Sequence, residues 1–200
     1  MDLTVTTMMS LDGVTQSPGA PEEDPSGGFE LGGWAMPYFE EQSMRHIDAI
    51  FGRADAFLLG RKTYEIFASY WPGVGDESPI SSALNSRPKH VVSSTLRDLS
   101  WDGASLLEGD LIEAVTALKR EPGRELQVHG SIELTQALLA AGLVDRLHLT
   151  VIPVALRGGR GLFGGAVPPT KFRLEESTTT PTGVQLLTFV PDGEIVQGHF

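Results

Sequence analysis

Two hundred residues, 40% of them hydrophobic, are enough for one sizeable core, so a single domain spanning 1–200 is expected. A formal net charge of -11 disfavours nucleic acid and anionic membranes as partners, because both are met by basic faces. The chain has no cysteine, which excludes disulfides, thiolate nucleophiles and Cys-ligated metals, and it reads as soluble and cytoplasmic, having neither a long apolar run nor a signal-like N-terminus.

Residues 3–8 alternate apolar and β-branched side chains and read as a first strand that stops at Asp12-Gly13. Residues 15–33 are dense in Pro, Gly and acids, the composition of a long lid-like loop. Phe29, Leu31, Trp34 and Met36 at its far end are expected to pack it down. Residues 37–51 read as a helix with Pro37 at its start and Phe39, Met44, Ile47 and Ile50 in one stripe. Ala56-Phe57-Leu58-Leu59 is a short continuous apolar run, the pattern of a strand covered on both faces. A second helix is expected over 63–70, ended by Trp71-Pro72-Gly73, followed by a short strand at 90–93.

Asp110-Leu111-Ile112-Glu113 opens a helix to Arg120 with a carboxylate capping-box arrangement. A strand at 126–129, a helix at 131–141 closed by Gly142, and a longer strand at 146–154 complete an alternation that implies crossover connections and a mostly parallel sheet. Residues 171–179 and 184–190, split by Pro181-Thr182-Gly183, read as an antiparallel C-terminal edge hairpin. The expected class is therefore α/β, with helices on both faces of the sheet.

Three strand ends carry chemistry. At Gly60-Arg61-Lys62-Thr63 a glycine turns the chain off a buried strand into a helix whose first N–H groups are unpaired, which makes an anion site. Arg61 and Lys62 add charge, and the Thr63 hydroxyl can meet a phosphate while capping the helix. Ser93-Ser94-Thr95 places hydroxyls at a second strand end, and His129-Gly130-Ser131 repeats the strand, glycine, hydroxyl and helix order. Open α/β sheets bind ligands at such carboxyl ends. Neither the Walker spacing nor Gly-x-Gly-x-x-Gly is present. His46, His90, His129, His148 and His199 lack metal-ligand spacing, so no metal is expected.

Ser10-Leu11-Asp12-Gly13, Leu59-Gly60-Arg61-Lys62-Thr63-Tyr64-Glu65, Val92-Ser93-Ser94, His129-Gly130-Ser131, the segment from Gly142 to Leu147 and Gly158-Gly159-Arg160-Gly161-Leu162-Phe163 occur in an order that resembles the dihydrofolate-reductase-like family. The nearer resemblance is to the pyrimidine reductase domain of the riboflavin-biosynthesis deaminase/reductase and its stand-alone bacterial relatives. It implies a dihydrofolate-reductase-like three-layer fold and an oxidoreductase using NADPH. Gly60, Arg61, Lys62 and Thr63 would hold cofactor phosphates, Ser93 and Ser94 would lie near the 2'-phosphate, and His129, Gly130 and Ser131 would meet the pyrophosphate. Leu11, Asp12, Gly13 and Val14 would border the nicotinamide, with Asp12 and His129 as catalytic candidates.

A Gly-Gly pair of dihydrofolate reductases is replaced by His129-Gly130, and Glu40, Glu41 and Asp48 fall in no matching acid motif, which disfavours folate as substrate. The implied substrate is a ribosylaminopyrimidine phosphate, with the turn at Arg157 to Gly161 able to meet its phosphate. The alternatives are another small heterocycle or carbonyl compound, or a non-catalytic nucleotide-binding module. Relatives with this architecture imply a homodimer.

Overall fold

The structure, a computed structural model, describes residues 1–165 and 167–198. The chain runs β1 (Asp2–Ser10), α1 (Glu41–Phe51), β2 (Ala54–Gly60), α2 (Arg61–Val74), α3 (Pro79–Ser86), β3 (Lys89–Val92), β4 (Ala104–Leu106), α4 (Leu111–Arg120), β5 (Glu125–His129), α5 (Ile132–Ala140), β6 (Arg146–Ile152), β7 (Phe172–Thr179) and β8 (Gln185–Pro191). The strands form one sheet in the order β4-β3-β2-β5-β1-β6-β8-β7. Pairing is parallel from β4 to β6 and antiparallel for β6-β8 and β8-β7. Gly60 stands opposite Val92, and Thr6 opposite both His129 and His148, so the carboxyl ends of β1, β2, β3 and β5 open on one edge of the sheet.

Burial follows the two-residue period of the strands. Leu3, Val5, Leu58, Leu126, Val128 and Leu147 pack with Val115, Leu118, Leu134 and Leu138 of α4 and α5. Phe57, Leu59 and Val91 pack on the other face with Ile47, Phe51, Tyr64, Ile80 and Leu84 of α1, α2 and α3. The apolar run of β2 is thus shared between both layers, as its unbroken pattern predicts. In a third cluster Val14, Phe29, Trp34 and Ala35 of the lid meet Ile152, Val184 and Leu186. Phe29 and Trp34 pack the lid down as expected, whereas Leu31 and Met36 remain half-exposed.

Several boundaries differ from the sequence reading. The first helix starts at Glu41, because Pro37 sits inside a separate 3-10 turn (Met36–Tyr38) and Phe39 and Glu40 are extended. α2 begins at Arg61 and passes through Pro72 to Val74, with Gly75 at φ 65° ending it. Asn85 of α3 donates to the carbonyls of Trp71 and Gly75, satisfying the end that a helix broken at Pro72 would lack. β6 stops at Ile152, since Pro153 has no N–H to continue the ladder. α3 and the short β4 were not anticipated. Asp110 caps α4 as predicted, accepting from the N–H groups of Ile112 and Glu113.

The α1 face of the central strands is polar inside. Arg53 donates to Glu125 at 2.6 Å, and the other Glu125 oxygen accepts from Gln127 at 2.6 Å and from Thr4 at 3.3 Å. Gln127 Oε1 lies 2.9 Å from His129 Nε2, so that nitrogen carries the proton, and the ring stacks on Phe51 with centroids 4.1 Å apart. Arg53 can only donate to His148 Nε2, at 3.3 Å, which leaves His148 Nδ1 to donate to Thr188 at 3.1 Å.

Burial, then the nearby imidazole of His148, depresses the His129 pKa from 6.5 to about 3; burial, then Arg53, brings His148 to about 4. Both rings are neutral in the fold and protonate first in the unfolded chain. Their contribution is complete above pH 6.5 and is lost as pH falls toward 4 for His148 and toward 3 for His129. Urea unfolding at pH 7 and pH 5 should show a loss of about 2 kcal/mol per histidine, and His148→Gln should remove roughly its own share of that slope. Equal stability at the two pH values would contradict this.

Candidate functional site

Two strand-to-helix turns are joined by one hydroxyl. Ser131 Oγ accepts from the Gly60 N–H at 3.0 Å and donates to Thr63 Oγ1 at 2.6 Å. The approach is close enough that a Cβ at position 60 would lie 3.0 Å from Ser131 Oγ, which explains the glycine there. Gly130 and Ser131 both adopt positive φ, 63° and 55°, and this turns the chain sharply from β5 into α5. Neither α2 nor α5 has a side-chain N-cap hydrogen bond, so backbone donors of both first turns stay available at the same edge. Gly60 is the N-cap of α2, which corrects the expected capping role of Thr63: its hydroxyl is engaged with Ser131 instead.

Charge converges beside this pair of turns. Lys62 Nζ lies 3.5 Å from Asp24 Oδ1 of the lid, and Arg160 Nη2 ion-pairs with Asp24 Oδ2. Arg160 Nη1 also reaches Glu133, in the first turn of α5, at 3.2 Å. Burial alone would raise the Asp24 pKa, but the hydroxyl and N–H of Ser26 and the charges of Arg160 and Lys62 outweigh it and hold it below its ordinary value. Arg61 instead pairs with Glu65 one turn along α2, at 2.9 Å.

Asp12 is committed to structure. Its carboxylate accepts from Ser10 Oγ at 2.6 Å and from the N–H groups of Leu156 and Arg157, and these bonds, Ser10 first, hold its pKa down to about 2. An acid already ionised at every physiological pH cannot deliver a proton, which corrects its place among the catalytic candidates. Leu11 is 64% exposed at the end of β1, Gly13 turns the chain at φ 85°, and the buried Val14 bridges to Gly161.

His129 is also corrected. Its side chain alternates away from the strand-end surface into the polar interior, where Gln127 and Phe51 hold it, leaving only its backbone near the turn. Ser93 Oγ accepts from the N–H groups of Thr95 and Leu96, closing the turn after β3, while Ser94 is exposed and its carbonyl accepts from Arg97. Arg97 carries no sequence signal of its own, since one arginine after a serine pair makes no pattern. Of the acids around α1, Glu41 is exposed and paired with Arg45, whereas Glu40 has one buried carboxylate oxygen with no partner. His199 lies outside the described residues.

A cleft of about 540 Å³ opens between the lid and the 156–160 turn, lined by Gln16, Phe29, Leu31, Leu156, Gly159 and Arg160 among others. Gly159 has φ 107°, and a Cβ there would stand 2.7 Å from Val14 Cγ1 and 2.9 Å from Phe29, so only glycine lets the turn meet the lid. None of the residues lining the cleft comes from the α2 turn; Arg160 belongs to the cleft wall and to the charge cluster alike.

Ser131→Ala should leave the Gly60 N–H without its acceptor and lower stability in urea unfolding by about 1–2 kcal/mol. A change under about 0.5 kcal/mol, the size of an ordinary surface substitution, would show that the hydroxyl bridge is incidental.

Known proteins share this fold. The chain is 27% identical over 138 residues to the uncharacterized protein YyaP of Bacillus subtilis (strain 168), covering 68% of this chain and 73% of YyaP. It is 27% identical over 149 residues to the uncharacterized protein YwjB of the same organism, covering 74% and 80%. Its fold superposes with a TM-score of 0.74 on a protein ascribed to riboflavin biosynthesis in Shewanella sp. PV-4, at 22% identity over 96% of this chain and 100% of that one. A pyrimidine reductase-like protein from Corynebacterium diphtheriae superposes with a TM-score of 0.62, at 16% identity over 96% and 92%. The expected dihydrofolate-reductase-like fold is thereby met. With the family model of the RibD C-terminal domain matching residues 2–186, this chain belongs to the RibD C-terminal domain family.

Proposed function

We propose that the chain is an NADPH-dependent reductase that transfers a hydride to a small heterocyclic substrate of the ribosylaminopyrimidine phosphate class. Family membership supports a reductase of riboflavin-pathway type. The observation that carries the cofactor reading is the pair of uncapped helix N-termini joined through Ser131, with Lys62 at its side. The residues fit a pyrophosphate: a Cβ on Gly130 would meet only Thr63 Oγ1, at 3.8 Å, so the space before this turn is an open cradle of backbone donors.

In this reading Lys62 and the first turns of α2 and α5 bind the cofactor phosphates, and Arg61 can leave Glu65 to join them. Ser94 and Arg97 take the adenosine end, and Leu11 to Val14 border the nicotinamide. When bound, the cofactor supplies the hydride. The chain's own work is to orient both reactants and exclude water, and Phe29, Leu31 and Leu156 give the cleft beside the lid an apolar wall. Asp12 stays ionised throughout and holds the 156–157 backbone in place.

Titration with NADPH followed by nicotinamide fluorescence should show saturable binding, and Lys62→Gln should weaken it about tenfold through loss of one charge-assisted contact. Absence of binding to the wild-type chain would sink the cofactor reading. Turnover is then measured against a panel of pyrimidines, pterins and aldehydes, with NADPH oxidation expected only on a pyrimidine; oxidation on an aldehyde alone would replace the proposed substrate class.

The proposed assembly is a homodimer. β7 is an edge strand exposed along nearly its whole length, with Leu174 half-exposed. Light scattering should give twice the 21.5 kDa chain mass, and a monomeric mass would contradict it.

A further inference from the structure

We propose that Lys62 and Arg160 form a phosphate-binding subsite which the lid carboxylate of Asp24 fills in the ligand-free chain, so that an incoming phosphate takes its place and frees the lid. This rests on the nucleotide-binding reading above and deepens it. Two cations from separate elements, the first turn of α2 and the turn after β6, converge on one carboxylate whose side chain is only 15% exposed. In a chain with 15 basic and 26 acidic residues, such convergence on a single lid acid is a specific placement.

The guanidinium of Arg160 is incompletely used. Its Nη1 meets Glu133 and its Nη2 meets Asp24, but its Nε is buried with no partner. Nε and Nη2 form the side-on fork that a carboxylate or phosphate normally takes with two oxygens. Asp24 cannot fill it, because its other oxygen is held by the hydroxyl of Ser26 at 2.6 Å and faces Lys62. A phosphate group has oxygens enough for Nε, Nη2 and Lys62 together. Asp24 is therefore an imperfect occupant of a site shaped for a larger anion.

The lid holds Asp24 in this position from behind. Gln16 donates to the carbonyls of Asp24 and Ser26, and Ser17, itself at φ 52°, accepts from the Asp24 N–H. Gln16 also accepts from the Arg160 N–H at 2.9 Å, so lid and cation turn are registered to one another before any ligand arrives. Displacing the carboxylate removes the lid's ion pairs to α2 and to the 156–160 turn while leaving its Phe29 and Trp34 anchors. Phosphate binding and lid opening are then one equilibrium, and apparent affinity is reduced by the fraction of chains in which Asp24 occupies the site.

The test compares wild type, Asp24→Asn and Arg160→Gln by calorimetric titration with inorganic pyrophosphate, NADPH and ribose 5-phosphate, after thermal melts confirm that each variant folds. Both variants break the same ion pair, so a merely structural pair would move them in the same direction. The proposal requires opposite directions: pyrophosphate binding at least about fivefold tighter in Asp24→Asn and at least about fivefold weaker in Arg160→Gln. Tightening toward NADPH assigns the subsite to the cofactor, and tightening toward ribose 5-phosphate assigns it to a substrate phosphate. Tighter pyrophosphate binding without any NADPH binding would keep this subsite while removing the nicotinamide reading. NADPH binding by every variant, with Asp24→Asn tightening neither pyrophosphate, NADPH nor ribose 5-phosphate, would overturn the subsite while keeping that reading. Amide hydrogen exchange over residues 17–28 should quicken on saturation with pyrophosphate, and unchanged protection would overturn the displacement.

Discussion

The Ser131 hydroxyl sets the geometry of everything at the functional edge. By accepting from the Gly60 N–H and donating to Thr63 Oγ1 it holds the β2-α2 and β5-α5 turns at hydrogen-bond distance. Adjacent parallel strands bring two such turns near each other, and the β2-β5 ladder ends at Phe57 and Gln127, before either turn begins. The bridge converts them into one surface. It also means that a Cβ at Gly60 would crowd Ser131 Oγ at 3.0 Å, and that the Thr63 hydroxyl is engaged between the turns.

Electrostatics then divides the labour between the carboxyl ends of the strands and the α1 face of the sheet. At the carboxyl ends, cations from α2 and the 156–160 turn meet a lid acid, and backbone donors stay uncommitted. Under α1, Arg53, Glu125, Gln127, His129, His148 and Thr188 satisfy one another in the interior. A network of mutually satisfied buried groups stabilises a unique packing, whereas the first arrangement leaves room for an exchange of partners. The lid is fastened by apolar anchors at its base and by ion pairs nearer its tip, a division suited to movement of the tip alone.

Much of this was legible in the sequence. The continuous run of β2, the crossover spacing and the Pro181-Thr182-Gly183 hairpin each reflect local periodicity or turn chemistry, and the strands formed where those patterns lie. What escaped depended on distant partners. α2 passes Pro72, and Asn85 of another helix donates to the carbonyls of Trp71 and Gly75 around its end. Asp12 looked available for chemistry, but its acceptors are taken by N–H groups 144 and 145 residues away. Which of Glu22, Glu23 and Asp24 turns inward is decided by Gln16 and Ser17, so the lid composition announced a loop and concealed its purpose. His129 sits at a ligand-like strand end, yet strand alternation sends its ring to the opposite layer.

A crystal structure of the chain with NADPH bears most directly on the central claim that the two joined turns form one phosphate cradle. The pyrophosphate is expected against the N–H groups of the α2 and α5 first turns, between Lys62 and Gly130-Ser131. A pyrophosphate bound away from both turns, with Ser131 still bridging Gly60 and Thr63, would contradict it.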